Sequence, residues 1–205
     1  MTNALPIGLT DCLLWSDELG MGWHGRSPIS YSGPYFAKYQ QLDATPMGQS
    51  LTQARLEMVR RHFPGQVVDI GIGGGRFVTE AGAMGFDVNG EAVAWLKAQG
   101  RYYDPYQHHA EALTCWDSLE HIPEPEKLLD HVGKWLFVSM PIYESQAHCL
   151  QSKHYKPGEH IWYWTLPGLI GWMERHGFAL VEMNQEESYL GREGITSFAF
   201  RRLHD

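Results

Sequence analysis

The chain contains few cysteines and lacks long apolar runs. Its three cysteines, Cys12, Cys115 and Cys149, are odd in number and far apart, which predicts free thiols in a reducing cytoplasm and excludes a disulfide framework. The longest apolar stretches, such as residues 135–138, fall far short of the roughly 20 residues that cross a bilayer. The N-terminus has no basic flank followed by an apolar run, so we expect no signal peptide. These absences predict a cytoplasmic protein without a membrane segment.

Basic residues are also scarce relative to acidic ones. There are 16 Lys and Arg against 24 Asp and Glu, and the formal net charge is −8. Such a chain has no general attraction to phosphate backbones or anionic lipid, although a local basic groove stays open. With 43% hydrophobic and 20% charged residues in 205 positions, the composition predicts one compact domain. The 8 Trp, 10 Tyr and 8 Phe indicate either a flat-sided pocket or a heavy core.

The chain divides by pattern into an N-terminal arm and a main domain. Residues 1–48 mix Gly, Pro and aromatic residues without a steady period, which predicts an irregular arm or lid. Residues 49–205 form the predicted main domain, and it opens with a helix over 50–62 that Ser50 caps. Strands and helices then alternate, a pattern typical of a doubly wound, mostly parallel sheet. We expect an irregular polar and aromatic insertion at 141–165.

A glycine-rich turn follows the first predicted strand. In the sequence Asp69-Ile-Gly-Ile-Gly-Gly-Gly75, the glycines let the backbone turn sharply and approach a ligand, and the helix beyond presents unpaired N–H groups. Asp87 comes at the end of the next predicted strand, where a carboxylate can accept both ribose hydroxyls. A dinucleotide-binding sequence spaces its glycines as G-x-G-x-x-G and has its acid about 20 residues further on. The tighter pattern here favours a different nucleoside cofactor.

Three segments resemble one enzyme family. The turn resembles the first motif, V-x-D-x-G-x-G-x-G, of class I S-adenosylmethionine-dependent methyltransferases. Residues 115–125, with the sequence CWDSLEHIPEP, are similar to the family segment S-x-L-E-H-I-P-D-P. Residues 159–178 are similar to the E-H-x-x-Y-F-T and L-E-R-A-G-F stretches of a bacterial and phage branch. The resemblance covers about 66–182.

The resemblance implies a Rossmann-like methyltransferase sheet and S-adenosylmethionine as cofactor. It implies cofactor contacts from eight residues: Asp69, Gly71, Gly73, Gly75, Asp87, Val88, Trp116 and Asp117. The chain departs from ordinary members by leaving little room for the first crossover helix and for the third strand. We therefore expect a compacted sheet in which that strand is reduced or missing. Asp104 could replace the usual adenine-binding acid, but an Asp-Pro turn is the simpler interpretation.

Two histidines are candidate catalytic residues. His121 lies in the second motif and could accept a proton from the methyl acceptor; alternatively it orders the loop by bonding to the backbone. His160 lies where the family covers the mouth of the active site; alternatively it belongs to an aromatic cluster. Cys149, His154 and His160 invite a zinc interpretation, but no fourth ligand or metal-binding motif accompanies them. We expect no metal, since direct displacement at a sulfonium needs none.

These patterns predict a methyltransferase that transfers a methyl group to an O or N atom of a small or base-sized acceptor. Two aromatic-rich segments, 11–40 and 141–165, flank the predicted ligand edge of the sheet and are expected to enclose that acceptor. Two alternatives stay open. The chain could modify nucleic acid, although its charge disfavours this, or it could be a non-catalytic cofactor-binding subunit of a methyltransferase complex.

Overall fold

A computed structural model describes residues 13–24 and 33–203. Parts of the N-terminal arm, including Cys12, lie outside the described residues. The helices are α1 (Gly33–Asp43), α2 (Pro46–His62), α3 (Arg76–Ala81), α4 (Gly90–Ala98), α5 (Pro125–Leu129), α6 (Gln146–Gln151), α7 (Leu166–Arg175) and α8 (Glu186–Tyr189). The strands are β1 (Leu14–Ser16), β2 (Met21–Trp23), β3 (Val68–Ile70), β4 (Met84–Phe86), β5 (Ala110–Trp116), β6 (Val132–Tyr143), β7 (Trp162–Thr165), β8 (Phe178–Asn184) and β9 (Ile195–Arg202).

The strands form one sheet with a parallel centre. Along the main sheet the order is β4-β3-β5-β6-β9-β8, in which β4, β3, β5 and β6 run parallel and β9 and β8 are antiparallel additions. The far end of the long strand β6 pairs with β7, which continues through β2 to β1. The predicted doubly wound fold is confirmed. The described part of the chain contains no helix long and apolar enough to cross a membrane.

The sheet is compacted as predicted. The first crossover helix, α3, has only six residues. In the described segment 99–109 the usual third strand is reduced to a single bridge between Gly85 and Tyr102. Asp104 accepts a hydrogen bond from the Tyr106 backbone N–H at 2.9 Å. This bond closes the Asp-Pro turn that was the simpler interpretation of the sequence.

Both faces of the central strands are covered. Successive side chains of a strand point to opposite faces. Leu113 and Leu136 accordingly join the larger core cluster on one face. Ala112 and Phe137 join the cluster beneath α2 on the other face. Because both faces of the central strands are buried, a ligand has room only at the edge of the sheet where the parallel strands end. This edge is called the ligand edge below.

Two predictions about irregular segments were wrong. The arm contains the β1–β2 pair and helix α1, and the insertion at 141–165 contains α6 and β7. Strands of three or four residues leave too few positions for a visible alternation. The helix predicted from Ser50 begins a turn earlier, because Thr45 caps it and Pro46 fits its first position.

Candidate active site

The glycine turn joins the end of β3 to α3. Gly71, Gly73 and Gly75 all have positive φ angles, of 75°, 56° and 85°. A Cβ on Gly71 would lie 2.8 Å from Ser118 Cβ, and one on Gly75 would lie 2.8 Å from the Trp95 ring. The turn therefore requires glycine at these positions for conformation and for space.

Asp69 is buried beneath the turn. Its carboxylate accepts a hydrogen bond from Thr114 Oγ1 at 2.6 Å and so fastens β3 to β5. Burial raises the pKa of Asp69 to about 7. Thr114 was not among the predicted site residues, and only its position in a strand neighbouring β3 could have indicated it. Contact between Asp69 and a cofactor stays a prediction.

Asp87 follows β4 and bonds back to the turn. Its Oδ2 accepts from the Ile72 backbone N–H at 3.0 Å, and its Oδ1 accepts from the Asn89 N–H at 2.8 Å. Burial raises the pKa of Asp87 despite these donors. The neighbouring Val88 side chain is 72% exposed. The carboxylate and an exposed apolar side chain thus lie together beside the glycine turn.

The loop after β5 is attached to the same turn. Ser118 Oγ donates a hydrogen bond to the Ile70 carbonyl at 2.6 Å. Asp117 has a left-handed φ of 52°, and its N–H donates to the Ser139 carbonyl at 2.8 Å. Trp116 is buried edge-on against the Phe77 ring and belongs to the core cluster beneath α2. The hydrogen bond of Ser118 brings the second motif next to the first.

Asp117 belongs to a buried ion network. Arg55 and Arg192 both bond to its carboxylate, and both also bond to Glu187, which is 1% exposed. Burial opposes ionisation, but the Arg192 and Arg55 guanidiniums outweigh it and hold the pKa of Asp117 below its usual range. The two arginines and Glu187 were not predicted, because they lie far from the motif in sequence. With its oxygens engaged in this way, Asp117 anchors the loop, and its cofactor contact stays a prediction.

The structure brings the two candidate histidines together. The rings of His121 and His160 meet edge to face with their centroids 4.6 Å apart. Glu120 lies beside them, and one ligand atom from each of the three residues falls within 4.8 Å of the others. Glu120 was not predicted as a site residue, although it stands inside the second motif. These three side chains are named the Glu–His–His cluster below.

Both histidine rings are kept neutral by their surroundings. Burial lowers the pKa of His121, and burial with the nearby His121 and Lys156 lowers the pKa of His160 to about 3. His121 Nδ1 lies 2.9 Å from the Glu159 carbonyl oxygen. Since a carbonyl only accepts, Nδ1 carries the proton and Nε2 carries the lone pair. The structure thus shows the backbone bond of the alternative interpretation for His121, and His160 packs on Tyr163 with the ring centroids 5.9 Å apart. A catalytic role for either histidine stays a prediction.

Parts of both aromatic segments lie over the Glu–His–His cluster. The Ile161 N–H donates to the Glu120 carbonyl at 2.8 Å, and the His24 N–H donates to the Ile161 carbonyl at 2.9 Å. The Trp162 indole N–H donates to the Ile122 carbonyl at 2.8 Å. The β2–β7 pairing thus connects the N-terminal arm, the insertion and the second motif.

Comparisons with known proteins give the class. Residues 44–183 match the methyltransferase domain family, and the chain belongs to this family. Magnesium protoporphyrin IX methyltransferase from Synechocystis PCC 6803, with bound S-adenosylhomocysteine, is a similar structure: 13% identity, 84% of this chain and 96% of that chain covered, TM-score 0.60. A search of curated proteins gave no significant match.

Two further solved structures share the fold. A methyltransferase from Thermotoga maritima has 14% identity and a TM-score of 0.57 over 82% of this chain and 97% of that chain. A chain from the complex of the Haloferax volcanii Trm112 methyltransferase activator with a methyltransferase has 12% identity and a TM-score of 0.60, with 84% and 97% coverage. At these identities the likeness shows the fold.

The protein is an S-adenosylmethionine-dependent methyltransferase of the class I fold. The residues at the ligand edge fit that cofactor. Gly71, Gly73 and Gly75 bring no side chains of their own to the turn, and the Asp87 carboxylate beside it is of the kind that accepts hydrogen bonds from ribose hydroxyls. Val88 supplies an exposed apolar surface suited to a nucleoside ring. The predictions of family, fold and cofactor are confirmed.

Proposed function

We propose that the protein transfers a methyl group to an O or N atom of a small or base-sized acceptor held beside His121 and His160. The proposal assigns cofactor binding to the glycine turn, Asp87 and Val88. It assigns the acceptor to the space between the loop after β5 and the two aromatic segments, 11–40 and 141–165. In this proposal, residues 1–48 act as a lid on the domain formed by residues 49–205.

The observation that carries the proposal is the hydrogen bond from Ser118 Oγ to the Ile70 carbonyl at 2.6 Å. It ties the loop that bears His121 directly to the strand end that begins the glycine turn. A methyl donor bound at the turn is therefore close to the histidines. A direct displacement needs mainly this alignment of donor and acceptor and the exclusion of water.

Neutral histidines suit the proton chemistry. The bound cofactor supplies a methyl group on a sulfonium leaving group. In the transfer, the acceptor O or N forms a bond to the methyl carbon, the carbon–sulfur bond breaks, and its electron pair stays on sulfur. The acceptor proton passes to His121 or His160, which are unprotonated at neutral pH. Because burial also weakens both bases, the proton leaves as the new bond to the methyl carbon makes the acceptor strongly acidic.

The surroundings support an enclosed acceptor of modest size. His24 packs on Tyr163 with centroids 5.5 Å apart and on Tyr155 at 5.7 Å, so aromatic rings from both segments meet beside the cluster. Such walls favour a flat or apolar acceptor. The net charge of −8 argues against a long polyanion such as nucleic acid.

The test is methyl transfer from labelled S-adenosylmethionine to a panel of phenols, amines and nucleobases. The variants His121→Ala and His160→Ala are expected to lose transfer and to keep their affinity for S-adenosylhomocysteine. His108→Ala is the matched control, since His108 is exposed and lies outside the cluster. Full turnover in both cluster variants would reject the histidines as bases, and a preference for duplex DNA would reject the enclosed acceptor.

A further inference from the structure

We propose that the Glu–His–His cluster is a binding site for one divalent transition-metal ion, with Zn²⁺ as the reference ion. The three ligands would be a carboxylate oxygen of Glu120 and one ring nitrogen each from His121 and His160. The existence of this site does not depend on the proposed acceptor. Only the role of the metal in catalysis rests on the proposed function.

The position of the cluster is fixed by one turn of the chain and two hydrogen bonds. Glu120 and His121 lie in the single 3-10 turn at 119–121 that follows β5. The Ile161 N–H bonds to the Glu120 carbonyl at 2.8 Å, which holds His160 against that turn. The Glu159 carbonyl in turn accepts from His121 Nδ1. Ligand atoms from two distant parts of the chain are thereby held within 4.8 Å of one another.

Buried polar atoms in the cluster lack partners. The Glu120 side chain is buried, with 1% exposure, and neither of its carboxylate oxygens has a hydrogen-bond partner from another residue in the described chain. His160 is 4% exposed, and its Nδ1 has no partner among the described residues either. A buried polar group without a partner is costly, and a buried carboxylate is especially so. A bound cation would satisfy several of these atoms at once.

Among the described residues, the nearby cations Arg192 and Lys156 are paired with other carboxylates and do not neutralise Glu120. Arg192 is committed to Asp117 and Glu187. Lys156 is 44% exposed and pairs with Glu159 at 3.6 Å. The carboxylate of Asp117, nearby, is engaged by arginines. The cluster is therefore the place where a further positive charge fits.

The ligand set indicates the class of ion. Two imidazoles and one carboxylate are the protein ligands of many catalytic zinc sites and of non-haem iron sites, which keep at least one open coordination position. His121 has the arrangement that orients a metal-binding imidazole: Nδ1 donates to a carbonyl while Nε2 carries the lone pair. Mg²⁺ and Ca²⁺ prefer an all-oxygen set and fit less well.

An open position next to the methyl donor suggests what the ion would do. A hydroxyl oxygen of the acceptor could bind there, lose its proton to solvent more readily and face the methyl carbon. With the ion bound, His121 and His160 serve as ligands and no longer as proton acceptors. This narrows the proposed acceptor from O or N to a compound with a hydroxyl or similar oxygen donor.

The experiment is calorimetric titration of Zn²⁺ into the untagged, chelator-treated protein, repeated with Co²⁺ to record its visible absorption. We expect one Zn²⁺ per chain, and a Co²⁺ spectrum that reports nitrogen ligands. The variants Glu120→Gln and His160→Asn should each lose affinity by more than the roughly 10–100-fold that removal of an outer-shell partner causes. Metal binding is measured without turnover, so an error in the proposed acceptor leaves this test intact.

The matched control is His154→Asn. His154 belonged to the Cys149, His154 and His160 series considered from the sequence, but its Nε2 bonds to the Glu193 carbonyl at 2.7 Å. The His154→Asn variant should therefore bind Zn²⁺ like the wild type. Thermal unfolding with and without Zn²⁺ provides a second measurement, since a ligand of the folded state raises its stability. Absence of Zn²⁺ binding in the wild type, or unchanged binding in both cluster variants, would overturn the site.

Discussion

The substitution Asp87→Ala removes the carboxylate that links β4 to the glycine turn and faces the proposed ribose position. Two charge-assisted hydrogen bonds to ribose hydroxyls are worth about 1.5–3 kcal/mol in total. We therefore expect the dissociation constant of S-adenosylhomocysteine to rise about tenfold to 150-fold. The same change leaves the Ile72 N–H without its acceptor, and Ile72 is buried. The free energy of unfolding should fall by about 1–3 kcal/mol.

Calorimetry and urea unfolding measure the two effects separately. Asn184→Ala is the matched control, because Asn184 Oδ1 also accepts a backbone N–H but lies in β8, at the opposite edge of the main sheet from β4. It should leave the affinity for S-adenosylhomocysteine unchanged. If Asp87→Ala folds and binds the ligand as tightly as the wild type, the ribose is held elsewhere and the reasoning fails.

Three further predictions concern the turn, the ion network and pH. Gly73→Val should abolish cofactor binding, because its φ of 56° and its place in the turn exclude a branched side chain. Arg55→Ala should lower the free energy of unfolding by about 3–5 kcal/mol, because it removes a partner from the buried Glu187. Partial burial would raise the pKa of Glu182, but hydrogen bonds from Arg61 and other donors outweigh it and lower the pKa to about 2. Stability from Glu182 should thus be complete above about pH 4.5 and be lost as the pH falls through about 2.

Each of these has a control and a contradicting result. Gly82→Val has the same left-handed strain but open space around it, so it should keep cofactor affinity; equal loss in both variants would reduce the effect to strain. The control for Arg55→Ala is Lys153→Ala, which removes only an exposed ion pair and should leave the free energy of unfolding unchanged. An equal loss of stability in both variants would contradict the assigned role of the buried network. Glu182→Gln should flatten the acid limb of the stability profile, and a profile parallel to the wild type would contradict the assigned cause.

The glycine turn and the position of Asp87 beside it could be predicted because they are local in sequence. Gly71, Gly73 and Gly75 are needed for backbone geometry within one turn, and Asp87 follows the next strand. The strand order then requires these elements to meet at one edge of the sheet.

The remaining site depends on contacts between distant segments. Arg55, Glu187 and Arg192 come from separate parts of the chain and meet only around Asp117. Helix α2 carries Arg55, and the structure buries its guanidinium in this network. No periodicity of the helix contains that information, since it depends on how β9 and α8 pack against α2.

The shortest strands were also missed by the sequence analysis. The three-residue strands β1 and β2 have too few residues for a recognisable alternation, so the N-terminal arm was predicted as irregular. The pairing of β2 with β7 connects the arm to the segment that follows His160. Glu120 was visible in the second motif, but only its complete burial beside two histidines distinguishes it from a surface acid.

The most direct test of this account is a crystal structure of the protein with S-adenosylhomocysteine. We expect the ribose hydroxyls on Asp87, the amino-acid part along the turn from Gly71 to Gly75, and the sulfur facing the space beside His121 and His160. A ligand whose sulfur faces away from the two histidines, or one bound outside the glycine turn, would contradict the central claim.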